Sequence, residues 1–507
     1  MNKSWLPILL LTILLFQPAA SQRSLDIQRM RWPINSRYSD MGPTISANGK
    51  TMIFQSNRNG GAGSYDLYES LWTGSDWSQP VNLTSLNSKY YDGYPHITAD
   101  GKTLYFSTNR HTFNSIDPDM DIWVSRKGIN NSWTVPRPID RLNTDDFEGM
   151  PSLSNDNQVI YFASDRGGGE GGIDIFYSKL EDSRWSEPKA MLPPINSEED
   201  DTNPLLSPAG DRFYFSSNRD GGQGGYDVYM SSRDGTDKAW KSPSNMGTVI
   251  NTPSNEKLFT IPNLGANIFV SRGEDLKEKI YEAKLPYVFQ PAPVVLVYGR
   301  VIDDQTREPK EDVPIEIILV NKPVKRGFNY YPARRQVIYS SAGTGDYSAI
   351  LLAGAEYDVR VNFRNYRKFE KPFNLTNIYK TTEKKFNISI SNRLAIEEFA
   401  GIYFQTKKTG LTDEAKVSLR LYIAFLKEHS NYIILLAGYA DRRGPSELNR
   451  SIAKYRAENV RDYLIKQGVS ANRIFTSVGG IKGSRRELMD VEKMQYYRTV
   501  QIRIVKQ

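Results

Sequence analysis

One pattern recurs through the first half of the chain and restricts what it can fold into. Pro43-Thr44-Ile45-Ser46 is followed by Ser56-Asn57-Arg58, and Pro95-His96-Ile97-Thr98 by Thr108-Asn109-Arg110. Pro151-Ser152-Leu153-Ser154 leads in the same way to Ser164-Asp165-Arg166, and Pro204-Leu205-Leu206-Ser207 to Ser217-Asn218-Arg219. Proline and arginine lie 15 positions apart in every copy, and successive prolines are 52, 56 and 53 apart. A polar or glycine-rich turn follows each arginine, then an apolar stretch headed by Asp66, Asp121, Asp174 or Asp227, then a tryptophan (Trp77, Trp133, Trp185, Trp240). A degenerate fifth copy runs from Lys257 through Phe259-Thr260 to Ser271-Arg272.

Each copy reads as a four-stranded antiparallel sheet. Asn48-Gly49, Asp100-Gly101 and Ala209-Gly210, with Asp156-Asn157 as the variant, suit tight hairpins. The runs Leu104-Tyr105-Phe106, Ile160-Tyr161-Phe162 and Phe213-Tyr214-Phe215 suit second strands. Such a sheet cannot bury both faces alone, so the copies are expected to pack radially as an all-β propeller. Five copies predict five blades, with six as the alternative. Pro33-Ile34-Asn35-Ser36 resembles Pro194-Ile195-Asn196-Ser197, which lies between two copies, so the N-terminus is expected to add an outer strand that closes the ring. The S-x-R, glycine turn and Y-D-[IVL]-[YFW] pattern resembles the TolB-type, WD-like propeller repeats of exported bacterial proteins. That resemblance implies a scaffold and no chemistry.

Two stretches invite a sharper reading. Gly167 to Gly172 contains five glycines but no following Gly-Lys-Ser/Thr, and a strand follows where a phosphate loop needs a helix. Asp117, Asp119 and Asp121 alternate, yet lack the glycine and bidentate glutamate of a calcium loop. A hairpin turn and a solvated turn are the expectations, with no cofactor and no metal.

Lys3, the apolar run Leu6 to Phe16 and Ala19-Ala20-Ser21 read as a secretory signal peptide over residues 1–21, cleaved before Gln22. No later stretch approaches the roughly 20 apolar residues of a membrane helix, so no transmembrane segment is expected in the mature chain. Cysteine is absent from all 507 residues, which excludes disulfides, thiolate metal sites and a lipidated N-terminal cysteine. The net charge of +7 is uneven: residues 395–507 hold 20 Lys and Arg against 12 Asp and Glu, and residues 1–290 hold 28 against 35. The two halves should meet different partners; for the basic end, anionic wall or lipid groups are expected and not nucleic acid.

Pro286, Pro291 and Pro293 mark a boundary, giving a propeller over 22–288 and a second unit over 289–392. Val294 to Val301, Val313 to Val320, Ser348 to Leu352 and Asp358 to Phe363 read as strands of a small β-sandwich with five to seven strands. Gly299-Arg300-Val301, Gly345-Asp346-Tyr347 and Gly354-Ala355-Glu356-Tyr357 resemble the carboxypeptidase regulatory-like fold, which implies a spacer or docking module.

Residues 393–507 change to mixed α and β. Phe399 to Phe404 and Ile433 to Ala437 read as strands, as do Ile474 to Val478 and Val500 to Ile504. A first helix is capped by Thr412, with Val417, Leu421, Ala424 and Phe425 as its expected core face. A second helix spans Ser451 to Gln467 and ends at Gly468. Gly438-Tyr439-Ala440-Asp441-Arg442-Arg443-Gly444, Asn449, Ile452 to Val460 and Tyr497 to Ile502 resemble the OmpA-like peptidoglycan-binding family. That resemblance implies an α+β domain that grips the diaminopimelate of peptidoglycan stem peptides. Asp441 and Arg456 would clamp its ammonium and carboxylate, with Asn449 as a loop amide and Arg498 on the pocket floor. Tyr439, Ala440, Tyr497 and Thr499 depart from the family pattern and bear on stem-peptide preference.

The whole is expected to be a non-enzymatic scaffold of the periplasm and outer membrane. It would be bound to peptidoglycan at its C-terminus and to an envelope or outer-membrane protein through the propeller. Its three-part layout resembles OmpA-family proteins of Bacteroidetes, some of them tied to type IX secretion or gliding machinery. A propeller lectin bridging wall and surface polysaccharide is the alternative. An enzyme is disfavoured because His96, His111 and His429 are the only histidines and none sits in a nucleophile or metal motif.

Overall fold

The computed structural model describes residues 27–110, 119–128, 130–233, 239–273, 277–304, 306–321, 335–363, 366, 368–391, 401–441, 445–482 and 497–506. The leader, Asp117, His111 and Arg442 to Gly444 lie outside them.

The repeats fold as antiparallel sheets. Asp40–Ile45, Thr51–Ser56, Asp66–Leu71 and Val81–Asn82 form the first, and Asp92–Ile97 to Arg137–Pro138 the second. Glu148–Leu153 to Lys189–Ala190 and Asp201–Leu206 to Ser244–Asn245 form the next two. The degenerate copy supplies Phe259–Thr260, Asn267–Arg272 and Lys279–Lys284, and Gln28–Arg29 pairs with the last of these as its outer strand. The asparagine of Pro33 to Ser36 explains the N-terminal placement. Asn35 Nδ2 donates to Ile280 O at 2.7 Å, while Asn35 Oδ1 accepts from Ile280 N at 3.0 Å. Asn196 makes the same pair of bonds to Ile175 in the third sheet. Neighbouring sheets bury their faces on one another round a closed ring: Ile53 meets Leu104, Tyr105 meets Phe162, Tyr161 meets Phe213, Tyr214 meets Phe259, and Phe269 meets Phe54. The recurring aromatics are therefore mostly core, because each intersheet layer needs large flat side chains to fill it.

Each repeat arginine closes on an acid that heads its own first strand or, for Glu256, lies three residues before it. Arg58 pairs with Asp40 at 2.5 Å, Arg166 with Glu148 at 2.6 Å, Arg219 with Asp201 at 2.6 Å and Arg272 with Glu256 at 3.1 Å; Arg110 pairs with Asp92. The acid side chains are wholly buried. A Ser or Thr four residues earlier (Ser36, Ser88, Thr144, Ser197, Thr252) donates its backbone N–H and its hydroxyl to the same carboxylate. Four of the guanidiniums also lie over the aromatic second strand, as Arg219 does over Phe215 at 4.8 Å. This latch ties strand one to strand two in every sheet.

Burial is costly where the acid is glutamate. It pushes the Glu256 carboxyl up to about 7 from 4.5, against hydrogen bonds from Thr252 and the attraction of Arg272. Burial likewise lowers the Arg272 guanidinium, so for both partners desolvation outweighs pairing. The folded state thus holds the Glu256 proton more tightly than the unfolded chain. The resulting stabilisation is full below pH 4.5 and is lost as pH rises through about 7. Glu256→Gln should flatten this part of the slope: thermal melts between about pH 5 and pH 8 should lose Tm with rising pH in the parent and less in the variant. Parallel slopes would contradict it.

The glycine-rich turn is a hairpin whose amides are already occupied. Asp174 Oδ2 accepts from Glu170 N at 2.9 Å and Gly171 N at 3.0 Å, so the chain's own carboxylate sits where an anion would. Among the described residues no group of three His, Cys, Asp or Glu is placed to hold a metal. The ring's axis is filled by Met150 and Leu258, with Met41, Tyr94 and Phe147 packed against them. His96 is half-buried and accepts from Leu153 N at 3.2 Å; desolvation lowers it to about 4, so it is neutral at neutral pH.

Two four-stranded sheets follow, centred on Val294–Asp303 and Pro314–Asn321. They contain eight strands where five to seven are expected from sequence. The additional short strands Thr382–Lys385 and Ile388–Ile390 carry little β pattern and are ordered by parallel pairing with Val294–Asp303. Gly299 is required there, since a Cβ would meet Phe386 O at 2.0 Å. This sandwich sits on the hairpin tips of the ring. Ala47 and Ala209 join its core, and Asn155 Nδ2 donates to Ile350 O at 3.0 Å.

The last unit is a sheet ordered Ile402–Tyr403, Thr499–Lys506, Tyr432–Asp441, Ile474–Lys482, with the final pair parallel. Helices α1 (Asp413–Glu428) and α2 (Ser446–Lys466) join its core. Of the strand expected from Phe399, Ile402–Tyr403 lies within the described residues. Thr412 caps α1 as expected, accepting from Ala415 N at 3.2 Å. The expected core face needs correction. Val417 and Leu421 are more than half exposed and Ala424 is exposed, while Ala415, Leu419, Tyr422, Ile423, Phe425 and Leu426 face inward. Two apolar stripes compete on this helix, and the one that buries Tyr422 with Leu419 and Leu426 removes more area from water.

Candidate functional site

The central strand Tyr432–Asp441 ends at the carboxylate, and α2 begins five residues later. Pro445, at φ −61° and ψ 141°, is the N-cap, so α2 starts at Ser446 and not at Ser451. Asn449 therefore lies in the first turn of α2, buried, and not in a loop. Arg456 lies seven residues further on the same face, nearly three turns into the helix. Between them, Ala453 lets the helix approach the strand. A Cβ at Gly438 would meet Ala453 O at 2.0 Å, so glycine is needed at that crossing.

Asp441, Arg456 and Arg498 meet at this end of the sheet. Arg498 Nη1 pairs with Asp441 Oδ2 at 3.2 Å, and Arg498 Nε donates to Phe404 O at 3.2 Å. Arg456 is bonded to main-chain carbonyls: Nε to Lys408 O at 3.1 Å, Nη1 to Tyr439 O at 2.9 Å and Nη2 to Gln405 O at 3.2 Å. Its guanidinium stands 5.1 Å over the Phe404 ring. Burial lowers it to about 10; the Asp441 charge opposes that shift and the Arg498 charge adds to it. All four candidates are buried: Asp441 at 7% exposure, Asn449 at 3%, Arg456 at 1% and Arg498 at 7%.

The expected clamp is thus redistributed. Arg498, expected on the pocket floor, is the cation that holds Asp441, while Arg456 pins the Gln405–Lys408 turn to the end of the central strand. One carboxylate beside two guanidiniums leaves an excess of one positive charge, which favours an anionic group. Tyr439 takes part through its carbonyl, while its ring lies where a Gly479 side chain would be: a Cβ there would meet Tyr439 Cζ at 2.2 Å. Sequence reading missed Gln405, Lys408 and Phe404, because a carbonyl acceptor leaves no trace in residue identity.

Residues 403–489 match the OmpA family model, and the C-terminal domain is of that family. The chain is 32% identical over 95 residues to the peptidoglycan-associated lipoprotein of Rhizobium meliloti (strain 1021), covering 19% of this chain and 49% of that protein. The chain spans about half the length of the curated relatives it matches. The crystal structure of the peptidoglycan-associated lipoprotein from Burkholderia pseudomallei is similar at 27% identity, covering 21% of this chain and 89% of that one, with a TM-score of 0.19. TolB from Acinetobacter baumannii is similar at 14% identity, covering 49% of this chain and 55% of that one, with a TM-score of 0.32.

Proposed function

We propose that this chain is a non-enzymatic envelope scaffold that holds peptidoglycan through its C-terminal domain. The supporting observation is the meeting of Asp441, Arg456 and Arg498 at one strand end, within a domain of the OmpA family. The curated relatives of that domain are, by name, peptidoglycan-associated. The ligand is the diaminopimelate centre of a stem peptide, its ammonium drawn to Asp441 and its carboxylate to the guanidiniums, with Asn449 supporting the site. In this reading a signal peptide over 1–21 directs the chain to the periplasm, where it associates with the outer membrane. Among the described residues no helix is long and apolar enough to cross a membrane.

In this reading residues 22–288 form a five-bladed propeller that presents its acidic surface to an envelope protein, and 289–392 form a carboxypeptidase regulatory-like spacer. The three-part layout suggests a component of type IX secretion or gliding machinery as the partner. The lectin alternative draws little support, since the recurring aromatics lie mostly between sheets. Sedimentation of the full chain with purified sacculi tests the proposal. The chain should pellet with them and be released by soluble disaccharide tripeptide containing diaminopimelate; a chain that stays in the supernatant overturns it.

A further inference from the structure

A groove of about 630 Å³ opens beside the site, lined by Arg450, Ser451 and Lys454 of α2 and by Val478 and Gly480 of the strand Ile474–Lys482. Among the described residues that strand is the edge of its sheet. Residues 475–479 are exposed in succession, including Phe475 at 49% and Val478 at 46%. The strand and helix that line the groove also carry or adjoin the site residues. Gly480 pairs with Tyr439 and Lys482 with Asp441, and Arg450 follows Asn449 on the helix.

We infer that this groove is a second subsite, in which the stem peptide continues past Asp441 with its free carboxylates against Arg450 and Lys454. The inference rests on the peptidoglycan reading above. Arg450 and Lys454 are one turn apart on one helix face, so their charges repel each other and gain from an anion lying between them. Lys454 has Glu458 at 3.8 Å, but both side chains are substantially exposed and such a contact is weak. Gly480, at φ +114°, has open space where a side chain would project, which leaves its backbone accessible to a peptide. An extended peptide of four or five residues spans roughly 13–17 Å, about the length of the exposed stretch 475–479. The carboxylate nearest to diaminopimelate along a stem peptide is that of its D-glutamate residue, and it is the group this subsite would read.

The test uses the full chain with two soluble disaccharide tripeptides that differ only at the D-glutamate α-carboxyl, free in one and amidated in the other. The parent should prefer the free acid by about twofold to fivefold, the effect of one exposed ion pair. Arg450→Glu/Lys454→Glu should abolish the preference yet still bind the amidated ligand as the parent does. Both positions are exposed, so the fold should tolerate the changes. A double variant that keeps the parent's preference overturns the second subsite while leaving the diaminopimelate site standing. A parent that binds neither ligand overturns both.

Discussion

Asp441→Asn should cut retention by sacculi roughly tenfold to a hundredfold, the effect of losing one charge-assisted hydrogen bond of about 1.5–3 kcal/mol. The substitution keeps the shape and removes the one negative charge that faces Arg498 and Arg456. It has a structural cost too, because Arg498 is buried and loses its ionic partner. Binding must therefore be measured below the melting transition of the C-terminal domain, followed by circular dichroism. Arg456→Lys separates the two effects. Lysine keeps the charge but cannot reach the carbonyls of Lys408, Tyr439 and Gln405 together, so it should lower the stability of this domain. Retention by Asp441→Asn equal to the parent, with the domain folded, would remove the carboxylate from the site.

Asp201→Ala should destabilise the propeller by about 3–5 kcal/mol, the usual cost of stranding one member of a buried ion pair. Asp201 Oδ1 meets Arg219 Nη2 at 2.6 Å, and its Oδ2 accepts from Ser197 N at 2.7 Å and Ser197 Oγ at 2.8 Å. Without it, a guanidinium at 16% exposure loses its ionic partner and two Ser197 donors lose their acceptor at once. For a unit of this size that corresponds to a fall in Tm of roughly 6–20 °C. Asp201→Leu/Arg219→Met should cost less than Asp201→Ala, since no charge is left behind. A single variant melting within about 2 °C of the parent would show that the latch contributes little; the expected value follows from the size scaling.

Spacing carried the ring. A proline-to-arginine interval of 15 fixes two strands and a tight hairpin, and a sheet with two apolar faces must find neighbours. Chain-local chemistry was equally readable: the Thr412 cap, the hairpin glycines and the N-terminal Asn35 that imitates Asn196 each act within a few residues of themselves or through a repeated motif. The acid half of each latch escaped notice because it alternates between Asp and Glu and lies 16 or 18 residues from its arginine.

What tertiary packing decided is where two solutions were locally equal or where the partner has no side chain. Helix α1 offers two apolar stripes, and the sheet it covers selected the one with Leu419, Tyr422 and Leu426. Asp441 had two candidate guanidiniums, and the return of the last strand beside Phe404 gave it Arg498. Arg456 went to three carbonyls. Every residue carries a carbonyl, so the sequence by itself determines which groups can donate, and the folded backbone alone determines what they find to donate to.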